Sequence, residues 1–143
     1  MKKLILVFIV SAISTLFTTT SIAAPDDAKD IRDKNASEVA KAWFTSLIQG
    51  NTNATISLSE VPFDLNKQQE AKSLTDLKII YDKIVAEEAS KASEVGKRWI
   101  ISSTEIKSST PDKVEVILRI KDGEGVLVIV RPGDAYKIIG YWD

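Results

Sequence analysis

The chain has 143 residues, 19 basic and 20 acidic side chains, and neither cysteine nor histidine. So even a balance offers no basic stripe for neutralising nucleic-acid phosphates. Without Cys or His, thiol nucleophiles, Ser-His-Asp triads, ordinary zinc sites and disulfides are excluded, and the fold must hold by core packing alone.

Lys2 and Lys3 precede an apolar run from Leu4 to Phe17, and small residues follow up to Ser21-Ile22-Ala23-Ala24. A charged start, an apolar middle and small residues before a cut form the secretory leader pattern. Cleavage is expected after Ala23, because a cut one residue later would set Pro25 against the scissile bond. Thr15, Thr18, Thr19, Thr20 and Ser21 break the run short of the about 20 apolar residues that span a bilayer. Residues 1–23 therefore read as a signal peptide, and the mature chain as a secreted or periplasmic domain with no stable membrane anchor after cleavage. About 120 residues remain, enough for one hydrophobic core.

Residues 24–36 carry one large apolar side chain, Ile31, and read as a flexible lead-in. Ser37 is then an N-cap with Glu38 in the first turn, and Val39, Ala40, Trp43, Phe44, Leu47 and Ile48 repeat at helical spacing until Gly50. Asn53 caps a short second helix that stops before Pro62. Phe63-Asp64-Leu65 reads as a short strand, Asn66-Lys67-Gln68 as a turn, and residues 69–72 as a partner strand. Ser73 and Asp76 form a capping box for a third helix, whose Leu74, Leu77, Ile80, Tyr81, Ile84 and Val85 share one face.

After Gly96 the apolar period changes from near four to two. The first long strand runs from Arg98 to Lys107 and ends at the turn formers Ser108 to Asp112. Val114, Val116, Leu118 and Ile120 alternate with Glu115, Ile117, Arg119 and Lys121. Asp122-Gly123-Glu124-Gly125 supplies a hairpin, Val126 to Val130 is apolar on both faces, and Pro132-Gly133 makes the next turn. Ala135 to Trp142 closes the chain, with Tyr136, Ile138, Gly140 and Trp142 opposite Lys137, Ile139 and Tyr141. The fold class is α+β: a curved antiparallel sheet of four long strands plus a short hairpin, packed against three N-terminal helices.

Four segments carry a resemblance. They are Trp43-Phe44-Thr45-Ser46-Leu47-Ile48-Gln49-Gly50-Asn51 closing the first helix, Ser59-Glu60-Val61-Pro62-Phe63 entering the first strand, Ser73-Leu74-Thr75-Asp76-Leu77 opening the third helix, and Tyr136-Lys137-Ile138-Ile139-Gly140-Tyr141-Trp142 at the end. In order and spacing the chain resembles the nuclear transport factor 2-like superfamily, the cystatin-like cone of ketosteroid isomerase-like and polyketide-cyclase-like proteins, from about Ser37 onward. The resemblance implies a hollow between sheet and helices, used by different members for catalysis, small-molecule capture or subunit contacts. In isomerase-like members a carboxylate base precedes the proline that opens the first strand, and here that position is Val61. A tyrosine donor on the first helix would fall near Trp43, which has no hydroxyl. No catalytic residue is carried across, and no cofactor or metal is implied.

Trp43, Asp64, Tyr81 and Trp99 are the candidate pocket residues, each with a plainer reading as core or surface. Ile117, Leu127, Ile129 and Ile139 are candidates for an apolar contact on the open sheet face. Arg119 reads as a surface cross-strand partner. Asn35-Ala36-Ser37 and Asn53-Ala54-Thr55 match the glycan acceptor pattern, which matters only in a glycosylating host. The chain thus reads as an exported, non-enzymatic domain that binds a small apolar ligand in its cone or a protein partner on its sheet, a homodimer among the options. Two alternatives stay open: an isomerase- or hydrolase-type pocket enzyme using Asp64 and Tyr81, and an immunity-type or inhibitory partner of a secreted protein.

Overall fold

The structure is a computed structural model that describes residues 25–89, 100–120 and 124–143. The leader, Gly96, the strand start at Arg98, Trp99 and the turn residues Asp122 and Gly123 lie outside the described residues. The chain divides into two compact units, residues 1–31 and 32–143, and the second holds the sheet.

Helix α1 spans Pro25–Ile48, so it starts twelve residues before the expected cap at Ser37 and includes the expected lead-in. Two physical reasons oppose the sequence reading. Proline is pre-organised for the first helical position, and Asp27 in the first turn complements the positive end of the helix dipole. Packing of this segment also needs no large apolar residue: Ala36 is fully buried, and Arg32 Nε donates to Ser109 Oγ at 3.0 Å.

Helix α2, Thr52–Ser57, is capped by Asn51 rather than Asn53. The Asn51 Oδ1 accepts the Ala54 N–H at 3.2 Å. Helix α3, Leu74–Ala89, begins as expected, with Ser73 Oγ accepting the Asp76 N–H at 3.1 Å. Its Leu77 and Tyr81 are buried, and Ile80, Ile84 and Val85 pack against the same core.

The six strands are β1 (Ser59–Leu65), β2 (Gln69–Ala71), β3 (Ile101–Ser109), β4 (Val114–Ile120), β5 (Gly125–Arg131) and β6 (Lys137–Trp142). They form one open sheet in the order β2-β1-β6-β5-β4-β3. The four long strands β3 to β6 are antiparallel, as expected, but the hairpin joins them through a parallel β1–β6 pair, which makes the sheet mixed. Strand β1 also starts at Ser59, before the expected Phe63, because its partner is distant in sequence: the Ile138 N–H donates to Leu58 O at 2.8 Å. Pro62 sits where this ladder is interrupted between Ser59 and Asp64, a place that asks for no proline N–H.

Strand β4 alternates as its sequence says, with Val114, Val116, Leu118 and Ile120 buried against the helices. Strand β6 does not. Val130 pairs with Ile138 but Ile129 pairs with Gly140, so a bulge at Ile139 resets the alternation. Ile138 and Tyr141 consequently both face the core, while Gly140 and Trp142 face outward with Ile129 and Leu127. A strict period of two instead puts Ile138 with Gly140 and sets Tyr141 opposite them.

Candidate functional site

Helix α1, strand β1 and helix α3 converge on the concave side of the sheet, where the sequence places a ligand hollow. Trp43 fills that place. Its ring centroid lies 5.9 Å from Tyr81, 6.1 Å from Phe63 and 5.5 Å from Tyr141, and Phe63 meets Tyr81 edge-on at 5.8 Å. Trp43 and Phe63 are 0% exposed and Tyr81 is 1% exposed. These are offset and edge-to-face contacts of the kind aromatic rings prefer.

The polar atoms inside this cluster satisfy one another. Ser59 Oγ donates to Thr55 O at 2.6 Å, which uses its single proton. Its 2.7 Å contact with Tyr81 must then be a bond donated by the tyrosine hydroxyl. Trp43 Nε1–H is shared between Ser59 Oγ and Tyr81 Oη, each at 3.1 Å. One turn away, Ser46 Oγ lies 2.9 Å from Thr55 Oγ1, while Ser46 reaches Trp43 O at 2.8 Å and Thr55 reaches Asn51 O at 2.9 Å. Buried hydroxyls therefore join α1, α2, α3 and β1, and each donor has an acceptor inside the protein.

Burial drives the Tyr81 phenol well above its ordinary pKa, and its hydrogen bonds with Ser59 and Trp43 offset this only in part. Tyr81 is thus a neutral donor whose proton is already committed. The arrangement braces the helices and offers no free acid or base.

Asp64 stands elsewhere. Phe63 points inward to touch Tyr81, so the next residue of β1 faces outward, opposite Gly140 of β6. Its Oδ1 accepts the Lys67 N–H at 3.0 Å and ties the turn in which Asn66 and Lys67 take positive φ of 56° and 59°. Trp43 and Tyr81 are therefore brought together, Asp64 is placed on the other face, and Trp99 lies outside the described residues. Sequence reasoning missed Ser59, Thr55 and Ser46. For Ser59 a signal existed: it stands two and four residues from Val61 and Phe63, a polar residue at the head of an inward-facing row.

The outer sheet face gathers Ile117, Leu127, Ile129 and Trp142, the last of which the sequence reading sets on the row of Ile138 and not among the candidates for this face. Ile117 pairs with Leu127, and Leu127 with Trp142, in one continuous row across β4, β5 and β6. Ile139 is the extra residue of the bulge and is half-buried. Lys67 Nζ lies 4.2 Å from the Trp142 ring centroid. Around the row, Arg119 pairs with Glu105 at 3.0 Å, Arg131 with Glu60, and Lys113 with Glu115 at 3.4 Å.

No protein-family model matches the sequence, and no curated protein matches it. Solved structures do. A dehydratase candidate of the NTF2-like family from Streptomyces avermitilis is similar with a TM-score of 0.54 and 11% identity, over 79% of this chain and 95% of that one. A protein of unknown function with a cystatin-like fold from Nostoc punctiforme matches with a TM-score of 0.46 and 15% identity, over 84% and 90%. An NTF2-like protein of unknown function from Cytophaga hutchinsonii gives 0.46 and 10%, over 75% and 86%. Identities this low speak to architecture and not to activity. Among the described residues three helices lie on one face of an open six-stranded sheet, and the chain has the NTF2-like fold.

Proposed function

We propose that this chain is an exported, non-enzymatic binding domain that works through the outer face of its sheet and pairs there with a second copy of itself. One observation carries the choice between cone and sheet: the Trp43 indole occupies the concave side, with its N–H and the Tyr81 and Ser59 protons all bonded internally. A ligand entering there would have to displace a fully buried tryptophan. The enzymatic alternative draws no support from the geometry either, since Tyr81 is a committed neutral donor and Asp64 lies on the opposite face. The dehydratase candidate shares only the fold.

The outer face supports a self-contact on two grounds. Its apolar row of Ile117, Leu127 and Trp142 is bordered by charges of both signs already paired within the chain. Without residues 1–23, and so without Lys2 and Lys3, the net charge is −3, small enough that two copies repel only weakly. Sedimentation of the chain lacking residues 1–23 should show a dimer at micromolar concentration, and Leu127→Arg should make it a monomer. A wild-type monomer at that concentration overturns the reading. Amino-terminal sequencing of protein recovered outside the producing cells should begin at Ala24, and a start at Met1 there would remove export.

A further inference from the structure

The turn between β1 and β2 is closed by the Gln68 N–H, which donates to Leu65 O at 3.2 Å, and Asn66 and Lys67 inside it both have positive φ. Turns with two such residues favour glycine, asparagine and aspartate. Asn66 conforms and Lys67 does not, so the backbone accepts strain where the lysine stands. In return the lysine is held at both ends. Its N–H donates to Asp64 Oδ1 at 3.0 Å, and its Nζ lies 4.2 Å from the Trp142 ring centroid, within cation–π reach.

Asn66, Lys67, Gln68, Trp142 and Asp143 line a cleft of about 370 Å³, near the lower end of the range for ligand pockets and so of a size for a small molecule. Asn66 Oδ1 accepts the Asp143 N–H at 2.8 Å and ties the two walls together. Lys67 and Asp143 bring opposite charges to this cleft. Neither makes an ion pair among the described residues, whereas Arg119, Arg131 and Lys113 around the same face are all paired. Trp142 Nε1 is buried with no hydrogen-bond partner among the described residues, so one wall also holds an unmet donor.

We propose that this cleft binds a small zwitterion of the amino-acid class, its carboxylate on Lys67, its ammonium on Asp143 and its carbon skeleton against the part of Trp142 that lines the cleft. The proposal goes beyond self-pairing and does not depend on it. A lone anion would meet the Asp143 carboxylate, and a lone cation would meet the Lys67 ammonium. A molecule with both charges answers the two together, and the Asn66 Nδ2 and the Gln68 amide add hydrogen-bonding groups at the rim.

Calorimetry with L-leucine and L-glutamine as probes should show saturable binding of at least one, with Kd at or below about 1 mM, and acetate and methylammonium should not bind at that strength. Lys67→Gly should weaken binding at least about tenfold without lowering the urea midpoint, because glycine takes the positive φ freely. Asp143→Asn should weaken binding by a similar factor. Ligand heat and sedimentation are separate readouts, so this site and self-pairing fail independently. The proposal is overturned by acetate binding as tightly as the amino acids, by Lys67→Gly binding like wild type, or by no saturable heat from either probe up to about 10 mM. A midpoint that falls with Lys67→Gly would make the lysine a folding contact and overturn it as well.

Discussion

The two faces of this sheet are built from the same alternating strands and are finished in opposite ways. On the inner face, Val114, Val116, Leu118, Val126, Val128 and Val130 are sealed by helices whose aromatic and hydroxyl groups close on one another. On the outer face Ile117, Leu127 and Trp142 form a half-buried row bordered by ion pairs. The lesson is that burial alone does not mark a functional cavity. The inner side is filled by rings and hydroxyls that satisfy one another, and the outer side carries a half-buried apolar row among paired charges.

Breaking the inner face should cost the most. Trp43→Ala removes the ring at the centre of the cluster and should destabilise the chain by about 3–5 kcal/mol, read as a lower midpoint in urea. Adding free indole should raise the midpoint again, since the vacated space keeps its aromatic walls; a midpoint that ignores indole would show that the site collapses instead.

Gly140→Ala comes next, because the new methyl meets Ile129 and the backbone oxygen of Asp64, and overpacking of this kind costs about 1–3 kcal/mol. Gly125→Ala should cost visibly less, because its methyl meets only side-chain atoms of Ile117 and Arg119 and no backbone atom.

Ser59→Ala orphans the donor end of the Tyr81 bond and should cost about 1–3 kcal/mol. With Tyr81→Phe in the same chain the two losses should fall short of their sum, because both substitutions break one shared bond. Strict additivity would mean that the hydroxyls do not act together.

Alkaline pH probes the same bond. Folding raises the Tyr81 pKa above its ordinary value of 10.0, so the folded state holds a proton that the unfolded state releases. Tyr81-linked stability is therefore whole below about pH 10 and declines as pH rises above it. Tyr81→Phe should flatten that decline in denaturant midpoints measured from about pH 9 upward.

The smallest effect belongs to the outer rim. Glu105→Gln cuts a pair whose side chains are 57% and 42% exposed, and it should change stability by less than about 0.5 kcal/mol. A larger loss would mean that the rim pairs carry folding energy, and the contrast between the faces would weaken.

Much of the fold was legible along the chain because it depends on local rules. Ser73 caps α3 as its spacing to Asp76 suggests, Pro132 and Gly133 separate β5 from β6, and β4 alternates residue by residue. What escaped were features whose cause is remote in sequence. The helical start at Pro25 is accompanied by a contact from Arg32 to Ser109 across 77 positions, and Ser59 enters a strand because Ile138 waits beside it. The Ile139 bulge reverses which side Tyr141 and Gly140 face, and no window of β6 alone contains the strand that imposes it.

By itself the amino-acid order determined the element types, the helix on which Trp43 and Tyr81 each stand, and the absence of thiol and imidazole chemistry, since periodicity, capping and composition are properties of neighbours along the chain. Only the tertiary structure decided that Trp43, Tyr81 and Ser59 would consume one another's hydrogen bonds, that Asp64 would be parted from them by the sheet, and that Ile129 would lie over Gly140. Those outcomes depend on which strands lie side by side, and that adjacency is a matter of space.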